Sequence, residues 1–478
     1  MSSSATFSCD TALARRAAGA PSARPRLALV TSILASSLAF VDGSVVNVGL
    51  PAIGRNLHAD AAQLQWAVNA YLLPLSALLL IGGALGDRLG RRRLLIFGVG
   101  LFAISSAACA AAPSLAWMLA ARAVQGVGAA LVLPNSLALL CGAFEGEARG
   151  RAVGLWAAAS AMSSALGPVL GGWLIDISGW RAIFLINLPI AAAAIVLAVP
   201  IRDPPETSQP APLDVAGALL AMLALGAIAW AFTVGAGPGG WTIAAIVGAV
   251  AGVGLLAAFV WVEAVRADRA LTPPALFGSR RVVALNLMTF LLYGALGGFL
   301  VLLPYVLIAG AGFPATAAGA ALLPFPLVMA LGGPFAGALA GRIGSQGLLT
   351  MGSLVTGAGL LLALLVEPGG AYWTQVLPCV LVIALGMTCS AAPPTTAILA
   401  AVDPRNTGSA SGFNSAVART GGLFATALVG NVLTARGHGM FVQFHLAAVA
   451  GAAVAAGAAA SAWLAFSGPA QGRAPLGD

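Results

Sequence analysis

The chain is a succession of apolar stretches about 20 residues long, the length that crosses a hydrocarbon core of about 30 Å. Short charged or Pro/Gly-rich breaks separate them at 27–50, 63–85, 94–112, 115–141, 151–175, 182–201, 213–235, 241–263, 282–308, 315–339, 347–366, 372–400, 409–435 and 441–467. The spacing predicts about fourteen membrane-crossing helices. Hydrophobic residues make up 60% of the sequence and charged residues 8%, with a mean hydropathy of +0.96. A soluble protein of this size carries roughly 25% charged residues. In water such a chain would expose apolar surface over much of its area, whereas a bilayer is a favourable solvent for it.

All 23 basic residues are Arg and none is Lys, which together with abundant Ala points to a GC-rich, bacterial genome. With the N-terminus in the cytoplasm, 18 arginines fall on the inner connections and tails, and three (Arg55, Arg181 and Arg436) on the outer loops. The positive-inside rule therefore places both termini in the cytoplasm of a multi-pass protein of the inner membrane. These arginines lie in short clusters between spans instead of one basic patch with interleaved aromatics, so nucleic acid is not an expected partner. Residues 1–26 read as a flexible cytoplasmic tail with no apolar core, and 468–478 as a second one. The five cysteines form no CxxC pair and have no His at ligand spacing, so free thiols and no metal are expected.

An internal repeat links the two halves. Residues 83–95 read GALGDRLGRRRLL and residues 337–349 read GALAGRIGSQGLL, identical at seven of thirteen positions. Eight spans separate the copies, as two six-helix halves would require if two further helices stood between them. The predicted units are a first half at 27–201, a linker with two inserted helices at 202–281, and a second half at 282–467.

Arg122 and Arg419 fall inside spans, where an ionised group is expensive and usually faces a cavity or a partner. Asp42 lies in the first span, where burial favours a neutral, proton-carrying carboxyl. Asn47 stands five residues on, about 140° around a helix turning 100° per residue, so the two cannot both point squarely into one cavity. Arg122 and Asp42 lie at matching depths. They are expected to form a pair, either one that protonation of Asp42 switches or a static one that only pins two helices.

Several segments carry a resemblance. The loop Gly83-Ala-Leu-Gly-Asp87-Arg88-Leu-Gly90-Arg91 resembles the signature loop of the major facilitator superfamily. Phe40 to Pro51 is similar to the first-helix motif of its fourteen-helix drug:proton antiporters, with Gly43 and Ser44 where a bulkier residue and Thr are usual. Leu119 to Gly128, with Arg122 and Gln125, resembles the family's proton-transfer motif, and Ala418 to Gly422 its pattern at the thirteenth span. Ser160 to Leu174, with Gly167, Pro168, Gly171 and Gly172, looks like the antiporter motif, though small-residue packing alone would also use such glycines.

The resemblance implies an all-α integral membrane protein of major facilitator fold, two six-helix halves plus two inserted central helices. It implies a proton-coupled exporter of drugs or lipophilic, often cationic, small molecules, driven by the proton gradient with no cofactor and working as a monomer. In that setting Asp87 and the following arginines would latch the cytoplasmic ends, with Glu145 or Glu147 as acidic partners. A plain positive-inside anchor accounts for the arginines but not for Asp87 or the glycine spacing. The second copy of the loop has Gly341 in place of Asp87, so any latch is lopsided.

Ser160, Ser164, Gly167 and Gly171 would share one helical stripe. Trp66, Asn69, Tyr71, Tyr293 and Tyr305 are candidates to line an amphipathic pocket, while Arg419 could contact substrate or snorkel to the surface. A narrow-substrate exporter or importer of the same fold is the alternative, and a membrane sensor lacks extramembrane residues to signal with. No phosphate-binding glycine loop followed by Lys and no Ser/His/Asp arrangement is present, which disfavours an ATP-driven pump or an enzyme.

Overall fold

A computed structural model describes residues 24–201, 214–235, 239–266, 279–391, 407–435 and 437–466, and all regular structure among them is helical. Each predicted span has a helix. The first half comprises α1 (Pro25–Leu57), α2 (Ala61–Leu89), α3 (Arg91–Ala110), α4 (Leu115–Ala143), α5 (Gly146–Ser178) and α6 (Asn187–Ala198), the last preceded by a turn at Ala182–Leu185. The inserted pair is α7 (Val215–Gly235) and α8 (Ile243–Arg266). In the second half α9 is Arg280–Ala309, and α10 begins at Ala315–Ala320 and resumes at Pro324. The helix Pro324–Leu362 is broken at Gly344, so residues 345–362 are α11. Then follow α12 (Leu377–Ala391), α13 (Thr407–Leu428) and α14 (His438–Phe466).

Twelve of these helices are long and apolar enough to cross a membrane. The other two are the shorter apolar segment Ala182–Ala198 and the 22-residue α13, which is interrupted by polar residues. Helices are the natural answer to such a sequence, because in lipid every backbone N–H and C=O must be satisfied within the segment. Side chains help at the ends: Asp60 and Gln63 form a reciprocal cap on α2, at 2.8 and 2.9 Å.

The repeat seen in the sequence is a repeat of backbone. Gly90, between α2 and α3, has φ +93°, and Gly344, its match in the second copy, has φ +81°. Only glycine adopts that conformation readily, so the same hinge is built twice at the same end of the bundle. Each half is then closed by glycine contacts. A Cβ on Gly126 would lie 2.3 Å from the Tyr71 carbonyl oxygen, and one on Gly386 would lie 2.4 Å from the Thr356 nitrogen. Small residues let helix backbones meet where hydrophobicity provides no drive, since lipid is as apolar as Leu.

The halves meet along three pairs, α5 with α10, α2 with α13 and α1 with α9. Helix α7 lies over the α2–α13 seam, where Ala229 and Leu423 are buried together against Leu72, Leu73 and Phe232. Its partner α8 is peripheral, with 11% of its apolar window buried against 78% for α4. Of the cysteines expected free, Cys109, Cys379 and Cys389 are.

Candidate functional site

At mid-depth in the first half, four helices bring five polar side chains to a single point. Asp42 of α1 is completely buried. One of its oxygens accepts from the Arg122 guanidinium of α4. The other accepts from Gln125 Nε2 at 2.8 Å and from Asn187 Nδ2 of α6 at 3.2 Å. Gln125 stands one turn beyond Arg122 on the same helical face, and its Oε1 accepts from Arg122 at 2.8 Å. Ser106 of α3 closes the ring, accepting from Asn187 at 3.0 Å and donating to the Phe184 carbonyl at 2.9 Å.

Arg122 is itself fully engaged. Its Nε donates to the Ala67 carbonyl of α2 at 3.2 Å, and its guanidinium carbon lies 4.3 Å from the centre of the Tyr71 ring. Tyr71 in turn donates its hydroxyl to the Ala39 carbonyl at 3.2 Å. A buried ion pair is tolerated only where further hydrogen bonds complete both partners, as here. Neutralising Asp42 removes the charge that Arg122, Gln125 and Asn187 share, which gives a single proton leverage over α1, α4 and α6.

The sequence paired Asp42 with Arg122 and gave Gln125 and Tyr71 as candidates to line a substrate cavity; the structure sets all four side chains against one another. The sequence reading missed Asn187 and Ser106, whose signal was only a polar residue inside an apolar run. Asn47 stays out of the cluster, half-buried and with Oδ1 unpartnered. Trp66 and Tyr293 are half-buried, Tyr293 against the main apolar core. The Tyr305 hydroxyl donates to the Leu433 carbonyl at 3.2 Å and ties α9 to the short helix Gly430–Thr434 that follows α13.

The glycines of α5 are spent on two different neighbours. A Cβ on Gly167 or Gly171 would come within 2.0 Å of Ser44 or Val45 of α1. One on Gly172 would lie 2.2 Å from the Ala315 carbonyl of α10, and one on Gly319 would lie 2.0 Å from the Pro168 carbonyl. The motif therefore makes the seam between the halves. Ser164 is exposed and off the expected stripe; Ser163, bonded to Ser37 at 2.8 Å, takes its place.

Two polar links across this seam lie at the arginine-poor end. Asp176, at the end of α5, accepts from the backbone N–H groups of Ala315 and Thr316 at 3.2 and 2.9 Å and from the Thr316 hydroxyl at 2.6 Å. Pro314, which precedes α10, offers no side-chain cap, so a carboxylate from the other half supplies it. Asn69 of α2 accepts from Thr426 of α13.

At the opposite end, Asp87 pairs with Arg91 at 3.0 Å, one turn on. Arg91 also donates to the Ala138 carbonyl at 3.2 Å, and Arg92 to Val199 and Ile201 at 2.8 and 2.9 Å. These contacts brace the start of α3 to the ends of α2, α4 and α6 within one half. The expected pairing with Glu145 is not made: Glu145 is exposed at the start of α5, because Arg91 finds a carboxylate closer along its own chain. The Glu147 side chain lies outside the described residues, and a Cβ on Gly83 would meet Pro134 at 3.5 Å, an ordinary contact. Arg88 ends α2 beside Gly90.

A multi-pass helical membrane transporter, built of two related halves around a buried ion pair, is the class that these features define. The chain belongs to the major facilitator superfamily, which it matches over residues 32–426. Among curated relatives, the methylenomycin A resistance protein of Bacillus subtilis (strain 168) is 35% identical over 85% of this chain and 87% of its own. The multidrug resistance protein Stp of Mycobacterium tuberculosis is 34% identical over 86% and 76%. The tetracenomycin C resistance and export protein of Streptomyces glaucescens is 31% identical over 86% and 77%. In fold the chain is similar to the nucleoside transporter NupG, with a TM-score of 0.65 at 14% identity, covering 92% of this chain and 100% of that one. The xylose transporter XylE of E. coli gives 0.59 at 15% identity over 91% and 98%.

Proposed function

We propose that this protein expels lipophilic small molecules of drug or antibiotic type across the cytoplasmic membrane in exchange for protons. The arginine-rich end faces the cytoplasm in this reading, in keeping with the positive-inside rule. The observation that carries it is Asp42, the one carboxylate at mid-depth among the described residues, shared by Arg122, Gln125 and Asn187 from two other helices. A titratable group so placed marks an ion path in membrane proteins. The resistance and export proteins among its relatives support the outward direction.

With the arginine-poor end closed by Asp176 and Asn69, the molecule is set to take substrate from the cytoplasm. Proton binding to Asp42 removes the charge that holds Arg122, freeing α1 and α4 to shift against each other as the access changes sides. Each elementary charge moved inward contributes about 2.3 kcal/mol per 100 mV.

The test is efflux of fluorescent lipophilic probes from cells expressing the chain, before and after an uncoupler collapses the gradient. Gradient-dependent efflux that Asp42→Asn abolishes is expected. Full pH-driven efflux by Asp42→Asn would remove Asp42 from the coupling role.

A further inference from the structure

Arg419 is the charged group that the site above does not use. It is twelve residues into α13, about 18 Å along the axis at 1.5 Å per residue, and so near the middle of a hydrocarbon core of about 30 Å. Snorkelling serves residues near helix ends, and this one is too deep for it. Leu423 and Thr426, four and seven residues on, lie on the same face at 100° per residue. Leu423 is buried with Leu72 and Leu73 of α2, and Thr426 is bonded to Asn69 of α2. Arg419 therefore faces the first half across the seam, two turns below the point where the seam is closed.

No ion pair or hydrogen bond engages its side chain among the described residues, and it is only partly buried. Arg122, the other cation at this depth, has Asp42, Gln125 and the Ala67 carbonyl. The remaining described carboxylates (Asp60, Asp87, Glu145, Asp176, Asp214, Glu263 and Glu367) lie at the two ends of the bundle. Asp42, Arg122 and Arg419 thus sum to one uncompensated positive charge at the centre of the seam. An unpaired guanidinium in a low-dielectric interior is costly, and a planar fork of five donors is suited to an oxyanion.

We infer that Arg419 is the substrate handle and that the transported molecule is a lipophilic acid, which presents a carboxylate, enolate or phenolate to it. This reverses the cationic preference expected from the sequence. It rests on reading the chain as a small-molecule exporter, but it separates the proton site, Asp42, from the substrate site.

The test is a binding measurement with no gradient, so that failure of proton coupling leaves it untouched. The full chain in lipid nanodiscs is titrated with two fluorescent probes that share a dansyl-alkyl body and end in a carboxylate or a trimethylammonium, with empty nanodiscs as the blank. The carboxylate probe is expected to bind about ten-fold tighter, the gain of one charge-assisted hydrogen bond. Arg419→Gln should erase that ratio, and Arg419→Lys, which keeps the charge but not the fork, should keep part of it. Equal or tighter binding of the ammonium probe by the unmodified chain overturns the assignment, as does a ratio unchanged in Arg419→Gln. Should Arg419→Gln fail to fold, the unmodified chain's ratio and its reduction in Arg419→Lys still decide. Loss of Asp42→Asn efflux with an unchanged carboxylate preference would place the proton and the substrate on different residues, as inferred.

Discussion

Removing the Asp176 carboxylate should unlatch the arginine-poor end. Asp176→Ala deletes three hydrogen bonds to α10, two from backbone N–H groups and one from the Thr316 hydroxyl. A hydrogen bond to a charged group contributes about 1.5–3 kcal/mol when water is excluded, but Asp176 is exposed and solvent screens most of that. Taking about 0.5 kcal/mol for each, the closed arrangement loses about 1–2 kcal/mol, a shift of roughly 5- to 30-fold in the closed-to-open ratio.

Spin labels at Ala111→Cys and Glu367→Cys, exposed at that end in opposite halves, would report it as a second, longer distance. Accessible native thiols are removed in the background. Thr316→Val removes one of the three bonds and should move the distribution less. Adding it to Asp176→Ala should change nothing further, because both substitutions act on one contact. An unaltered distance distribution in Asp176→Ala, or additive effects of the two substitutions, would refute the latch.

The α5 seam should be intolerant of a single methyl group. Gly172→Ala sets a Cβ 2.2 Å from the Ala315 carbonyl, where only backbone can give way, so efflux should fall to background, while Gly100→Ala on α3, with open space around it, should leave efflux intact. At the hinge, Gly344→Ala forces a side chain into φ +81° and should destabilise by about 1–2 kcal/mol, read as a lower melting temperature in detergent against the same Gly100→Ala control.

What could be read along the chain was whatever depends on local composition. The length of each apolar run sets the number of crossings, and the arginines between runs set the expected orientation. The repeated glycine loop gave the two halves, since a turn that needs positive φ needs glycine wherever it occurs. Asp42, Arg122 and Gln125 were conspicuous because charged and amide groups inside spans are rare.

Which of those groups meet was a matter of helix rotation and packing, which no local pattern records. Asn187 looked like one polar residue among many until α6 turned it onto Asp42, 145 residues away. Asp176 drew no attention along the chain, and only the packing of α5 on α10 made it the cap of a helix 139 residues on. Arg419, like Arg122, is a charged group inside a span, but only Arg122 had a carboxylate at matching depth along the sequence. The tertiary structure added Gln125 and Asn187 to the expected pair of Arg122 with Asp42, and left Arg419 facing the seam without a carboxylate among the described residues, because a partner is fixed by where helices touch and not by what each helix contains.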